Sequence, residues 1–260
     1  MSKKIKKILA KKNRSKIVSL TAYSKNIAKI LDKYCDIILV GDSLGMVLYG
    51  NKNTRLVNLD TMILHGKSVV KAAKKSLVVI DMPFGTYDNK FIAYKNAKKI
   101  ITKTKCDAVK LEGGKNIYEI VKYLISKKIS VMGHIGLLPQ FTKAGFKIQG
   151  RNIKQQKKLL TDAESLSKAG AFSIVIECVM ESLARKISKK ISIPTIGIGA
   201  SKECDGQILV TDDMLGISGF YPKFVKKYVN LNRVIEKAVK KYTREVKLKK
   251  FPAIKNNLNG

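Results

Sequence analysis

The chain has 260 residues, 45% of them hydrophobic, with 52 Lys and Arg against 19 Asp and Glu, a net charge of +33. That length and composition suit a globular protein with an ample core, taken here as one domain over residues 1–260, and argue against a disordered or fibrous chain. Apolar runs fall short of the roughly 18 residues of a membrane span, and the basic N-terminus lacks the apolar core of a secretion signal, so a cytoplasmic protein is expected.

The first element is "MSKKIKKILAKK", where Ile5, Ile8 and Leu9 at helical spacing predict a short amphipathic helix packed on the domain; a transit peptide is the alternative. Eight β-rich apolar runs follow: "KIVSLTAY" (16–23), "CDIILVGDS" (35–43), "SLVVIDMPF" (76–84), "DAVKLEGG" (107–114), "ISVMGHIG" (129–136), "FSIVIECV" (172–179), "IPTIGIGA" (193–200) and "GQILV" (206–210). Near-continuous apolar runs suit strands buried on both faces, as in a parallel sheet. Helical patterns lie between them. "NKFIAYKNAKKIITKT" places Ile92, Ala93, Ala97, Ile100 and Ile101 on one stripe, and "AESLSKAG" stops at Gly170. Eight strands alternating with helices predict a (β/α)8 barrel, with a doubly wound sheet as the alternative. The segment after Pro222 predicts one or two terminal helices, and "FPAIKNNLNG" a loose end.

The charge invites a nucleic-acid reading. Against it, the basic residues are nearly all lysines and are spread over every predicted helix, whereas phosphate and base readout favours clustered arginines. The four cysteines, Cys35, Cys106, Cys178 and Cys204, form no CxxC pair, which argues against zinc-site spacing and leaves reduced, buried thiols.

In a barrel of this type the active site lies at the C-terminal ends of the strands. There the second run ends in Asp42 and Ser43, the third reaches Asp81, the fourth carries Lys110 and Glu112, the fifth His134 and the sixth Glu177. Lys110 and Glu112 are two apart and so share one face of a strand. A set of charges at corresponding strand ends is hard to explain as packing, because buried charges are costly unless paired or metal-bound. Three hard carboxylates, Asp42, Asp81 and Glu112, point to Mg²⁺ rather than zinc. A ligand with a carboxylate and an adjacent keto oxygen would chelate such a metal, which would stabilise an enolate. Lys110 is placed to hold the substrate carboxylate, and Glu177 is the candidate general base. His134 belongs to the set with its chemistry open. His65, inside a helical segment, is expected to be structural. Ser43 is offered two roles, substrate contact or turn and cap residue.

These residues sit in stretches that resemble one family. "LTAY", "ILVGDSLGMVLYG", "VVIDMPFGTY", "AVKLEGG", "MGHIGLLPQ", "FKIQGR", "IVIECV", "IPTIGIGA", "CDGQILVTDDMLG" and "PKFVKKY" occur in order over about residues 16–228. They resemble the ketopantoate (3-methyl-2-oxobutanoate) hydroxymethyltransferases. The resemblance implies a Mg²⁺-dependent barrel of the phosphoenolpyruvate/pyruvate type, assembled as a homodecamer. It implies transfer of a one-carbon unit from 5,10-methylenetetrahydrofolate to 3-methyl-2-oxobutanoate, a step toward pantothenate and coenzyme A. By motif, Asp42, Asp81 and Glu112 resemble its metal site, Asp42, Ser43, Asp81 and Lys110 its keto-acid site, and Glu177 its proton acceptor. The chain departs from the family pattern at Ser24, Met180 and Ser201, and its 139–147 segment is shorter. The rivals are a Mg²⁺-dependent 2-oxo-acid lyase or mutase on a related barrel, and a basic nucleic-acid-binding protein.

Overall fold

The computed structural model describes residues 1–142, 145, 147–219, 221–253 and 256. The chain divides into two compact units, Met1–Val210 and Thr211–Gly260. In the first, helix α1 (Lys3–Ala10) precedes β1 (Ile17–Thr21), α2 (Lys25–Leu31), β2 (Ile37–Val40), α3 (Leu44–Val47), α4 (Leu59–Ala72), β3 (Leu77–Asp81) and α5 (Lys90–Thr104). Then come β4 (Ala108–Glu112), α6 (Tyr118–Ser126), β5 (Val131–Gly136), α7 (Ile153–Lys168), β6 (Ser173–Glu177), α8 (Glu181–Lys190), β7 (Thr195–Ile198) and β8 (Gly206–Leu209). The eight strands pair in sequence order, all parallel, and β8 closes on β1. The second unit contains α9 (Thr211–Leu215) and α10 (Leu231–Lys247), the latter capped by the Asn230 side chain. Of the expected loose end, residues 254, 255 and 257–260 lie outside the described residues.

Local sequence sets where the helices start. Ser2, Ser24, Asn58, Asn89 and Asn152 each accept a hydrogen bond from a first-turn N–H of α1, α2, α4, α5 and α7. Each such cap is worth about 1 kcal/mol. The α5 stripe is narrower than its spacing predicts: Ala93, Ala97 and Ile100 are fully buried, but Ile92 is 40% exposed. Two alanines in the contact row let the helix approach the strands closely, and Ile92 falls on the edge of that seam.

Strand alternation builds two cores. Ile37 and Leu39 of β2, Leu77 and Val79 of β3, Ala108, Met132 and Val175 cluster together inside the barrel. Their neighbours Ile38, Val40, Val78, Ile80, Val109, Leu111, Ile174 and Ile176 face the helices and join the larger outer core. Ile5 and Ile8 of α1 belong to the interior cluster. The predicted N-terminal helix is therefore a plug on the barrel, at the end where the strands begin.

Asp205 fastens that plug. Its carboxylate accepts from Lys12 Nζ at 2.8 Å, from the Asn13 amide at 3.0 Å and from the Thr195 amide at 2.8 Å. Burial pushes its pKa up, but the Lys12, Asn13 and Thr195 donors outweigh burial and hold it below the usual value of 3.8. A depressed folded pKa gives stability that is present above the unfolded value and lost as pH falls through the folded one. Asp205→Asn is expected to lower stability at neutral pH by about 2–4 kcal/mol, the range for breaking charge-assisted buried bonds. It should also blunt the loss of stability below about pH 4. Urea unfolding at pH 7 and pH 4 reads both effects, and equal stability of the two proteins at pH 7 rules out this role.

Candidate active site

The alternation that fills the barrel also builds its mouth. Asp81 follows Leu77 and Val79 on the inward side of β3; Lys110 and Glu112 follow Ala108 on β4; His134 follows Met132; Glu177 follows Val175. Asp42 arrives differently. β2 stops at Val40, two residues short of the expected tip, and the acid is carried by the turn that leads into α3. That turn is tight: a Cβ on Gly41 would lie 2.8 Å from Ser43 Oγ. Asp42, Asp81, Lys110, Glu112, His134 and Glu177 are all buried, none more than 7% exposed.

Sheet register sets the pairings. Asp81 lies beside Lys110 across β3 and β4, and Glu112 beside His134 across β4 and β5. Lys110 Nζ sits 2.8 Å from Asp81 Oδ1, whose partner oxygen Oδ2 accepts the Asp42 amide at 3.1 Å. His134 lies between two acids, with Nδ1 3.3 Å from Glu112 Oε1 and Nε2 3.2 Å from Glu177 Oε2. These are ion-pair distances without well-aligned hydrogen bonds. Ser43 starts α3 but makes no side-chain cap; its hydroxyl is 2.8 Å from Tyr23 OH.

Two residues outside the predicted set complete the frame. Gln140, on the β5–α7 connection, donates from Nε2 to Asp42 Oδ2 at 2.8 Å and to the Met82 carbonyl at 2.9 Å. Its backbone amide donates to Glu112 Oε2 at 3.0 Å, and Tyr87 OH donates to its Oε1. One residue, through its side chain and its backbone amide, thus ties the acid of the β2 turn to the acid of β4. The chain can turn back toward Gln140 because Gly136 has φ +98°, and a Cβ there would lie 2.2 Å from the Glu177 carbonyl oxygen.

Electrostatics divide the acids. Asp42 is held well above the carboxylate range, by burial first and then by the charges of Asp81 and Glu112. Glu112 is also pushed up by burial, but His134, Lys110 and the Gln140 amide outweigh that and hold it low. Burial and the Lys110 charge push His134 down; Glu112 and Glu177 overcome both and hold the imidazole at about 9. Burial disfavours a charged Lys110, yet Asp81, Glu112 and Asp42 keep it strongly protonated.

Mg²⁺ can be tested against this donor set. Among the described residues, no group of three or more acids, histidines and cysteines converges as a ready-made cage. The four acids nevertheless outnumber the two cations, and Asp42 is destabilised as an anion by its neighbours. Asp81 Oδ1 is buried without a well-aligned hydrogen bond. A hard divalent cation at Asp42 and Asp81 would offset the crowding of negative charge at Asp42 and would share the Asp81 carboxylate with Lys110. Mg²⁺ is typically held by one or two carboxylates, with waters and substrate oxygens filling the octahedron. The residues fit it.

The other sequence expectations resolve locally. His65 lies in α4, with Nδ1 2.6 Å from the Tyr23 carbonyl oxygen and Nε2 2.8 Å from Tyr49 OH, as a structural histidine would. The four cysteines are free and buried. Ser24 caps α2, Ser201 donates to Glu181 at 2.8 Å, and Met180 immediately precedes α8. Residues 143, 144 and 146 of the short segment lie outside the described residues.

Residues 2–254 match the family model described as ketopantoate hydroxymethyltransferase. A 3-methyl-2-oxobutanoate hydroxymethyltransferase from Pelagibacter ubique (strain HTCC1062) is 54% identical over 257 residues, covering 99% of this chain and 100% of that protein. Among solved structures, phosphonopyruvate hydrolase in complex with oxalate and Mg²⁺ superposes with a TM-score of 0.63 at 10% identity, covering 98% of this chain and 93% of that one. A 2,3-dimethylmalate lyase of the PEP mutase/isocitrate lyase superfamily superposes with a TM-score of 0.59 at 11% identity, covering 100% of this chain and 93% of that one. These two structural likenesses concern the fold.

Proposed function

Because the chain belongs to the ketopantoate hydroxymethyltransferase family, we propose that it transfers the one-carbon unit of 5,10-methylenetetrahydrofolate to C3 of 3-methyl-2-oxobutanoate with uptake of one water, giving 2-dehydropantoate and tetrahydrofolate. Asp42, Asp81 and Glu112 are the residues that would hold Mg²⁺, with Asp42, Ser43, Asp81 and Lys110 around the keto acid. When bound, the ion supplies Lewis-acid stabilisation of negative charge on the keto oxygen. The observation that carries this reading is the buried cluster itself, in which acids outnumber cations around Lys110.

The chain's own residues divide the work. Lys110, kept protonated by three acids, attracts the substrate carboxylate. Glu177 takes the C3 proton. His134, between Glu112 and Glu177, holds the base in place relative to the proposed metal site. Gln140 fixes the separation of Asp42 and Glu112. No helix among the described residues is long and apolar enough to cross a membrane. On this reading the enzyme is a cytoplasmic homodecamer serving pantothenate and coenzyme A synthesis.

The test is 2-dehydropantoate formation by the purified protein, with Mg²⁺ and methylenetetrahydrofolate each supplied or withheld. Product is expected only when both are present. Cleavage or rearrangement of a 2-oxo acid without the folate would instead favour the lyase or mutase reading.

A further inference from the structure

Among the described residues, Asn13, Lys105, Lys128, Cys178 and Lys249 are the non-glycine residues with a left-handed backbone. Four of them are exposed and follow the ends of α1, α5, α6 and α10, where a left-handed residue commonly closes a helix. Cys178 is different. It is 4% exposed, has φ +50°, and comes directly after Glu177 at the end of β6. Such a backbone is strained for a residue with a Cβ and persists where its surroundings fix it. Here hydrogen bonds from three directions do so. The Glu177 carbonyl accepts the Leu137 amide at 2.8 Å, the Cys178 amide donates to the Ile198 carbonyl at 2.9 Å, and the Cys178 carbonyl accepts the Gln149 amide at 2.7 Å. The Met180 amide donates back to the Gln149 carbonyl at 3.0 Å. Gly136 leaves room for this turn, since a Cβ there would lie 2.7 Å from Val179 Cγ2. Nothing in the turn asks for sulfur. Burial first, and then the Glu177 charge, push the Cys178 thiol up to about 12, so it stays protonated and is no nucleophile.

We propose that Cys178 is a positioning residue for proton removal: its left-handed backbone ends β6 at Glu177 and holds the Glu177 carboxylate at the barrel mouth, 3.2 Å from His134. The inference rests on the reading of Glu177 as the base. Glu177 is the last residue of β6 in register with both neighbours, beside Gly136 of β5 and Ile198 of β7. An extended residue at 178 would carry the strand straight on. The left-handed one stops it and delivers the next carbonyl to Gln149, on the connection that also carries Gln140. A base acts only within hydrogen-bond reach of its proton, so the angle at Cys178 bears on the rate through the place of its neighbour.

Cys178→Gly, Cys178→Ala and Cys178→Val separate backbone from sulfur. Glycine takes the left-handed angle freely, alanine keeps the strain without the sulfur, and β-branched valine disfavours the angle. The readout is solvent deuterium incorporation at C3 of 3-methyl-2-oxobutanoate with Mg²⁺, per folded molecule as counted by calorimetric binding of the keto acid. Cys178→Gly and Cys178→Ala are expected to exchange at close to the wild-type rate. Cys178→Val should exchange about 10²-fold more slowly, the order for a displacement of about 1 Å, with kcat reduced and keto-acid affinity and KM kept. A merely structural role would lower stability and leave the rate per folded molecule unchanged. Should Cys178→Val yield no folded protein, Gln149→Pro removes the amide that holds the Cys178 carbonyl and is expected to show the same split. Wild-type exchange in Cys178→Val or in Gln149→Pro, or lost exchange in Cys178→Gly or Cys178→Ala, overturns the assignment. Exchange that survives Glu177→Gln would instead remove the base on which the inference rests.

Discussion

Asp42→Asn is expected to reduce Mg²⁺-dependent turnover by about 10² or more, since Lewis-acid stabilisation by a bound metal is worth several kcal/mol. The exchange keeps shape: the amide oxygen of asparagine can still accept from Gln140 Nε2, which lies 2.8 Å from Asp42 Oδ2. What is lost is the charge. In the protein without metal that charge is a burden, because burial, Asp81 and Glu112 all push the Asp42 pKa up. A raised folded pKa gives stability that is fully present below the unfolded value and lost as pH rises through the folded one. The wild type without metal therefore loses that contribution progressively as pH rises above the unfolded value, and the variant never ionises at this position. Asp42→Asn should accordingly match or exceed the wild type in urea unfolding with EDTA, while failing in catalysis. Turnover titrated against Mg²⁺ supplies the other half. Near-normal turnover at about millimolar Mg²⁺ would remove Asp42 from the metal site, and a clear drop in metal-free stability would contradict the electrostatic account.

That split between stability and function shows which features the sequence could express. Most of the strands were legible because a strand buried on both faces needs apolar side chains in both alternations, and β3 to β6 appear as such runs carrying a charged residue or a histidine toward their ends. The break at Asp81 and the pair Lys110 and Glu112 follow directly from period-two alternation. Strand ends were less legible. β2 stops at Val40 although the apolar run leads straight on to Asp42, because the turn into α3 takes over the backbone hydrogen bonds. β5 runs on past His134 to Gly136. Register was not legible at all. Nothing in "DAVKLEGG" or "ISVMGHIG" says that Glu112 and His134 are cross-strand neighbours; closure of the barrel decides that. Gln140 was missed for a related reason. A glutamine on a connection has many possible partners, and Asp42 lies 98 residues away in sequence. Its only trace in the sequence is its place at the end of "GLLPQ".

Register also decides which residue can take the proton. His134 and Glu177 are both buried at the mouth, and their side chains approach to 3.2 Å. The imidazole is held at about 9 by its two acids, against burial and Lys110. Two carboxylates favour the protonated form of the imidazole, which makes it the poorer acceptor for the C3 proton of 3-methyl-2-oxobutanoate. The Glu177 side chain is 10% exposed against 1% for Glu112, so a substrate can reach it more readily. Glu112 is further committed to His134 and the Gln140 amide. Glu177→Gln keeps the volume and an oxygen facing His134 but cannot take up a proton. The expected result is unchanged binding of Mg²⁺ and keto acid, with exchange at C3 slowed by about 10² to 10⁴, the usual contribution of a positioned general base. The measurement is solvent deuterium incorporation at C3 with Mg²⁺ present and folate absent, which isolates proton removal from one-carbon transfer. Exchange at the wild-type rate would end the case for Glu177. It would then point to a base outside the carboxylate set, since Glu112 is held by His134 and the Gln140 amide.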